Sequence, residues 1–289
     1  MMEEIKRMYE RQKAGRVKSV IIFLVIYVLM IGVISLFYGN PFPHKEEVLF
    51  FETIQKGWIN EKIYLLLVCA GIGLIAGIGS VIYEIMQKFK MFDQILLQKC
   101  DVQEYLNNME YAVSYGKQLD FKGFQKTIFM LAQQKYVLAM AADWKTEDAK
   151  RYLDSEWVGK KDSRVYQRTS ANVRLIHSYR HQDAEEFLSV FAMHKVFWKN
   201  RIFIAEKLIL EKQYLKAEEL LSRDKEKFLY NEVNRNYLLG GCYDKLGEQE
   251  SAKKCMEYVK QYGNTMPCKK QAQEWLEMNY LKLLEIKTE

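Results

Sequence analysis

Two histidines, His177 and His181, stand four residues apart in VRLIHSYRHQD, with Asp183 just beyond them and His194 further along the chain. On a helix that spacing puts both imidazoles on one face, where they can share a metal ion. Zinc needs at least three protein ligands, and the glutamate of a metalloprotease HExxH is missing, so no metal is expected. Arginines Arg164, Arg168, Arg174 and Arg180 offer charge to an acidic or phosphorylated partner, although such a pattern is usually a solvated helix face. The stretch GIGLIAGIGS has G-x-G spacing but lies in an uncharged apolar run, where glycine serves helix packing rather than phosphate binding. No local motif suggests a Ser-His-Asp or Cys-His arrangement, so no catalytic residue, enzyme activity or cofactor is expected.

The elements that must carry these residues are helical. The chain has 289 residues, 49% hydrophobic and 28% charged, and its three prolines avoid the long apolar patterns. A net charge of +6 without a Lys/Arg run leaves no footprint for nucleic acid. The five cysteines Cys69, Cys100, Cys242, Cys255 and Cys268 match no zinc or redox spacing and read as free thiols of a reducing compartment.

Val20 to Tyr38 and Ile63 to Tyr83 are uncharged runs of nineteen and twenty-one residues, each long enough to cross a bilayer as a helix. The basic residues Lys6, Arg7, Arg11, Lys13, Arg16 and Lys18 precede the first run, which predicts a cytoplasmic N-terminus. Two spans return the chain to the same side, so both termini face the cytoplasm, an economy that suits a bacterial inner membrane. The expected organisation is a basic N-terminus (1–19), a transmembrane hairpin (20–83, with spans 20–38 and 63–83 and an external loop 39–62), and a cytoplasmic domain (84–289). In the second span Cys69, Gly73 and Gly77 form a small-residue face. Its partner is the first span, a second copy or another membrane protein.

The cytoplasmic part repeats itself. DAKRYL, DAEEFL, KAEELL and SAKKCM place Ala149, Ala184, Ala217 and Ala252 at spacings of 35, 33 and 35. A period near thirty-four residues marks stacked helix pairs that share one continuous core. DVQEYL, at Asp101 to Leu106, has the same form and suggests a further unit beginning near Glu84. In the most regular copy Leu239, Gly240 and Tyr243 precede a turn at Gly247 and then Ala252 and Met256. That set resembles the tetratricopeptide repeat (TPR). Trp144, Tyr179 and Lys212 stand where the other copies would carry the turn glycine. The expected fold is all-α, a two-helix transmembrane hairpin followed by a TPR-like α-solenoid of antiparallel helix pairs.

The resemblance implies a concave face built from the first helix of each pair, holding a protein or peptide partner. Aligned on the alanines, that face comprises Gln134, Leu138, Tyr166, Thr169, Val173, His177, Ile202, Glu206, Tyr237 and Asp244. The family's clamp for a C-terminal carboxylate is matched only by Lys199 and Asn234, while Tyr237 and Gly241 depart from it, so the clamp is not carried over. The functional expectation is a membrane-anchored adaptor or scaffold. Its alternatives are a sensor of a peptide or small ligand and an accessory subunit of a transporter or secretion system.

Overall fold

The computed structural model describes residues 2–10, 20–29, 56–119 and 124–288, and every regular element among them is helical. Two compact units divide the chain, one over Glu3–Phe89 and one over Lys90–Glu289. The first holds helix α1 (Met2–Glu10), helix α2 (20–29) and most of α3, which runs unbroken over Lys56–Lys99. In α1, Ile5 and Tyr9 lie one turn apart and are buried, and Glu4 pairs with Lys88 of α3 at 2.9 Å. Among the described residues no helix is long and apolar enough to cross a membrane. The backbone of the run Ile63–Tyr83 is helical throughout, but its side chains are described only in part; those of Cys69, Gly73 and Gly77 lie outside the described residues. So do residues 30–55, which hold the end of the expected first span and most of the loop.

The second unit continues with α4 (Val102–Lys117), α5 (Phe124–Ala142), α6 (Thr146–Ser155), α7 (Arg164–Arg180) and α8 (Ala184–Met193). A 3-10 turn at Lys195–Lys199 leads to α9 (Arg201–Leu210), α10 (Tyr214–Ser222), α11 (Leu229–Leu246), α12 (Gln249–Tyr262) and α13 (Pro267–Thr288). Each helix from α4 onward packs on the next, while α5, α7, α9, α11 and α13 also pack in file. At the turns into α4, α6, α8, α10 and α12 one residue adopts a left-handed conformation: Cys100, Trp144, Gln182, Lys212 and Gly247, with φ of 53°, 60°, 56°, 58° and 80°. In the last four, the amide of the next residue reaches back to the preceding helix: Lys145 to Met140, Asp183 to Ser178, Gln213 to Leu208 and Glu248 to Tyr243, all at 2.8–2.9 Å. These are Schellman closures, and only the last uses the glycine that the conformation favours.

The turns define the true register of the units. The fifth residue after each left-handed position is Tyr105, Ala149, Phe187, Ala217 or Ala252, and each is at most 3% exposed. Ala184 is therefore not the counterpart of the other alanines. It is half-buried at the first position of α8, whose buried residues are Phe187 and Val190; Leu188, which the alanine alignment sets beside Leu153 and Leu221, is only half-buried. DAEEFL matches DAKRYL in letters only: Asp183 caps α8 by accepting from the Glu186 amide, whereas Asp148 lies inside α6. The capping likeness is instead with DVQE, where Asp101 accepts from the Glu104 amide. On α11, Gly240 faces Cys255 and Met256; a Cβ there would lie 3.0 Å from the Met256 Cε and 3.1 Å from the Cys255 Cβ, so glycine permits the close approach of α12.

Within this unit the two ends meet. Cys100 and Val102 share a buried cluster with Met266, Cys268 and Ala272. The Thr265 hydroxyl donates to Asp101 Oδ1 at 2.9 Å and accepts from the Gln103 amide at 3.1 Å, and the Asn264 side chain donates to the Lys99 carbonyl.

Candidate functional site

Helices α5, α7, α9 and α11 turn one face each toward a cavity of about 610 Å³, completed by Leu96 of α3 and by Val196 and Lys199 of the 3-10 turn. Its wall is mixed. Apolar patches at Leu138, Ala142, Ile176 and Ile202 alternate with the carboxamides of Asn172, Asn200, Asn231 and Asn234. Asn200 is committed to the fold, since its Oδ1 caps α9 through the Ile202 and Phe203 amides. Lys199 makes no ion pair among the described residues, whereas Arg201 is 3.4 Å from Glu226 and donates to the Leu220 and Asp224 carbonyls.

The buried carboxyl of this wall is Glu206. It is 9% exposed, it lines the cavity, and its Oε2 has no hydrogen-bond partner among the described residues. Burial pushes its carboxyl up to about 8, against the pull of Arg180. Arg180 is engaged elsewhere: its guanidinium carbon lies 3.5 Å from the Trp144 ring centroid, and Nη1 donates to Gln271 Oε1 at 3.3 Å. The Tyr237 hydroxyl donates to the same Gln271 oxygen. Burial also raises the Tyr179, Tyr230 and Tyr237 hydroxyls, which therefore stay protonated. Trp144 is both the left-handed residue of the α5–α6 turn and the stacking platform for Arg180, so a strained backbone position holds part of the cavity wall.

Of the residues expected on the concave face, Leu138, Ile202, Glu206 and Tyr237 line this cavity, together with Lys199 and Asn234. Gln134, Tyr166, Thr169, Val173, His177 and Asp244 do not. Val173 is fully buried, Thr169 donates to the Val165 carbonyl, and Tyr166 packs edge-on to Trp157. Asp244 accepts from Trp275 Nε1 at 3.1 Å. On α7 the cavity instead takes Asn172 and Ile176, one residue N-terminal to the expected Val173 and His177, a rotation of about 100° around the helix. The signal for this shift was Asn172 itself, a polar residue at the position where the TPR pattern that the sequence resembles carries a small one.

His177 faces another way. Its Nδ1 is 2.9 Å from the Thr146 hydroxyl and its Nε2 is 3.4 Å from Glu147 Oε1, while the His181 ring lies 4.3 Å away, centroid to centroid. Burial lowers the pKa of His177, helped by Lys150 and opposed by Glu147. The buried thiols are raised by burial, Cys242 and Cys268 to about 12 and Cys100 and Cys255 to about 11, which makes them inert as nucleophiles. Compared with family models, curated proteins and solved structures, the chain matches none. Function is therefore argued from the sites themselves.

Proposed function

We propose that the protein is a membrane-anchored adaptor whose TPR-like helical-repeat domain lies in the cytoplasm and takes a segment of a protein or peptide partner into the cavity around Glu206. The observation that carries this reading is that cavity, with its alternating apolar and carboxamide wall and a buried acceptor left without a partner. A cavity lined by convergent polar groups on a mostly apolar surface is the usual form of a binding site. Stacked helix pairs with a recurring turn support the repeat architecture. For the anchor, support comes from the uncharged runs 20–38 and 63–83, and from described apolar side chains such as Leu29 and Ile75, which are 64% and 71% exposed. Water opposes such exposure and lipid does not. The basic N-terminus supports the orientation.

One observation favours the sensor alternative in its peptide or small-ligand form: about 610 Å³ suits a compact ligand better than a folded partner surface. Both readings use the same wall and are separated by what it retains. The test is affinity purification of the full-length protein in mild detergent beside Asn234→Trp, which fills the cavity from α11, followed by mass spectrometry of proteins and small molecules. A stoichiometric protein held by the wild type and lost in the variant supports the adaptor. A short peptide or small molecule with that behaviour supports the sensor, and a partner held equally by both removes the cavity from the account.

A further inference from the structure

We propose that Glu147, His177 and His181 form a binding site for a divalent late transition metal of the zinc class at the junction of α6 and α7. The three side chains each offer one donor atom, and these atoms lie within 4.8 Å of one another. The histidines come from the last turn of α7 and its C-cap, and the glutamate from the first turn of α6. The packing of α6 on α7 therefore supplies the third ligand that the chain order alone does not show.

The spacing is already close to what a metal needs. Ligand atoms about 2.0–2.1 Å from a tetrahedral ion are about 3.3–3.4 Å from each other, and His177 Nε2 and Glu147 Oε1 are 3.4 Å apart. The outer ring nitrogen of His177 is also held as metal sites hold it. Its Nδ1 is 2.9 Å from the hydroxyl of Thr146, a residue only 4% exposed, and donation from Nδ1–H to that oxygen leaves the Nε2 lone pair aimed at the carboxylate. In that tautomer two acceptors face each other across the gap, and a cation bound there takes the place that a proton on Nε2 fills in the other tautomer. The nearest competing cation is Lys150, whose Nζ is 3.9 Å from Glu147 on an exposed edge. Two imidazoles and one carboxylate are borderline nitrogen and oxygen donors, a set suited to zinc and poorly suited to magnesium or calcium. Three protein ligands leave a fourth position for water or for a partner's side chain.

The site has a structural consequence for the cavity. His177 and His181 flank Arg180, and Thr146 follows the turn that carries Trp144, the ring on which Arg180 stacks. A metal joining α6 to α7 fastens the two elements that present this pair.

The test uses the full-length protein in detergent after treatment with a chelator, titrated calorimetrically with zinc chloride beside His177→Ala, His181→Ala and Thr146→Val. The expected result is one tight equivalent of zinc in the wild type. Each histidine variant should lose at least about 10-fold in affinity, Thr146→Val should lose about 10-fold, and magnesium should give no heat of binding at the same concentrations. Because His181 is exposed, its replacement leaves the fold intact, and the zinc-dependent rise in thermal midpoint should vanish with it. Failure of the wild type to bind zinc overturns the proposal. So does zinc binding of undiminished affinity in both histidine variants, which would place the ion away from these side chains.

Discussion

At the scale of single residues, Glu206 and Glu232 are buried acids with opposite solutions. Burial opposes the charge of Glu232, yet the paired hydrogen bonds from Arg235, at 2.6 and 2.9 Å, with further help from the Glu226 amide and Asn236, hold its carboxyl below the usual value. That arrangement is structural, because every charge is answered. Glu206 has no such answer, and burial lifts its carboxyl from 4.5 to about 8. The folded chain therefore favours the protonated acid. The stability this contributes is complete below the unfolded value of 4.5 and is lost as pH rises through about 8. Glu206→Gln should leave the thermal midpoint nearly unchanged near pH 5 and stabilise the protein by about 1–3 kcal/mol near pH 8. Thermal unfolding at the two pH values checks this, and an equal effect at both would mean that the acid is ionised and paired. Gaining stability while losing partner capture would mark Glu206 as a residue kept for binding. The alanine alignment picks out its position, which lies in the cavity wall. Its isolation was not legible there, since a missing partner is a property of three-dimensional neighbours. The same holds for Glu147, thirty residues before His177 and visible beside it only once α6 packs on α7.

At the scale of elements, helix content and the existence of pairs were legible because the apolar period is strong, while register was partly misread. Matching letters brought DAEEFL into line with DAKRYL, but packing follows the left-handed turn residue, and that residue is a glycine in only one turn of five. The expected turn position Tyr179 lies within α7, and Gln182 takes the role. Side chains tolerate these positions at a cost of about 1 kcal/mol each. Lys212 pays it with an exposed side chain that no packing requires. Lys212→Gly should therefore stabilise the unit by about 0.5–1 kcal/mol, after allowing for the greater freedom of glycine in the unfolded chain. The expected rise in melting temperature is about 2–3 °C. Trp144→Gly removes the same strain together with the Arg180 platform and should not share the gain. Equal stabilisation by both would mean that the stacking contributes nothing.

At the scale of the whole helical unit, the first and last turns are joined, which an open stack of repeats does not require. Sequence period predicts neighbours along the array and contains nothing about its ends; closure depends on the small rotation accumulated from pair to pair. Here Thr265 occupies the junction, donating to the same Asp101 carboxylate that caps α4 and accepting from the Gln103 amide. Thr265→Val removes both bonds while keeping the shape of the side chain. It should cost about 1 kcal/mol, because the half-buried Gln103 amide loses its acceptor. The more informative readout is hydrogen exchange. Ends joined in this way open together, so the variant should speed exchange in the first turn of α4, at the end of α3 and at the start of α13 together, with α7 and α8 unchanged. Faster exchange confined to the turn before α13 would mean that the ends touch without supporting each other. Coupled exchange would instead tie the cavity to the junction, because Leu96, one of its walls, lies in the last turn of α3 beside the Lys99 carbonyl that Asn264 holds.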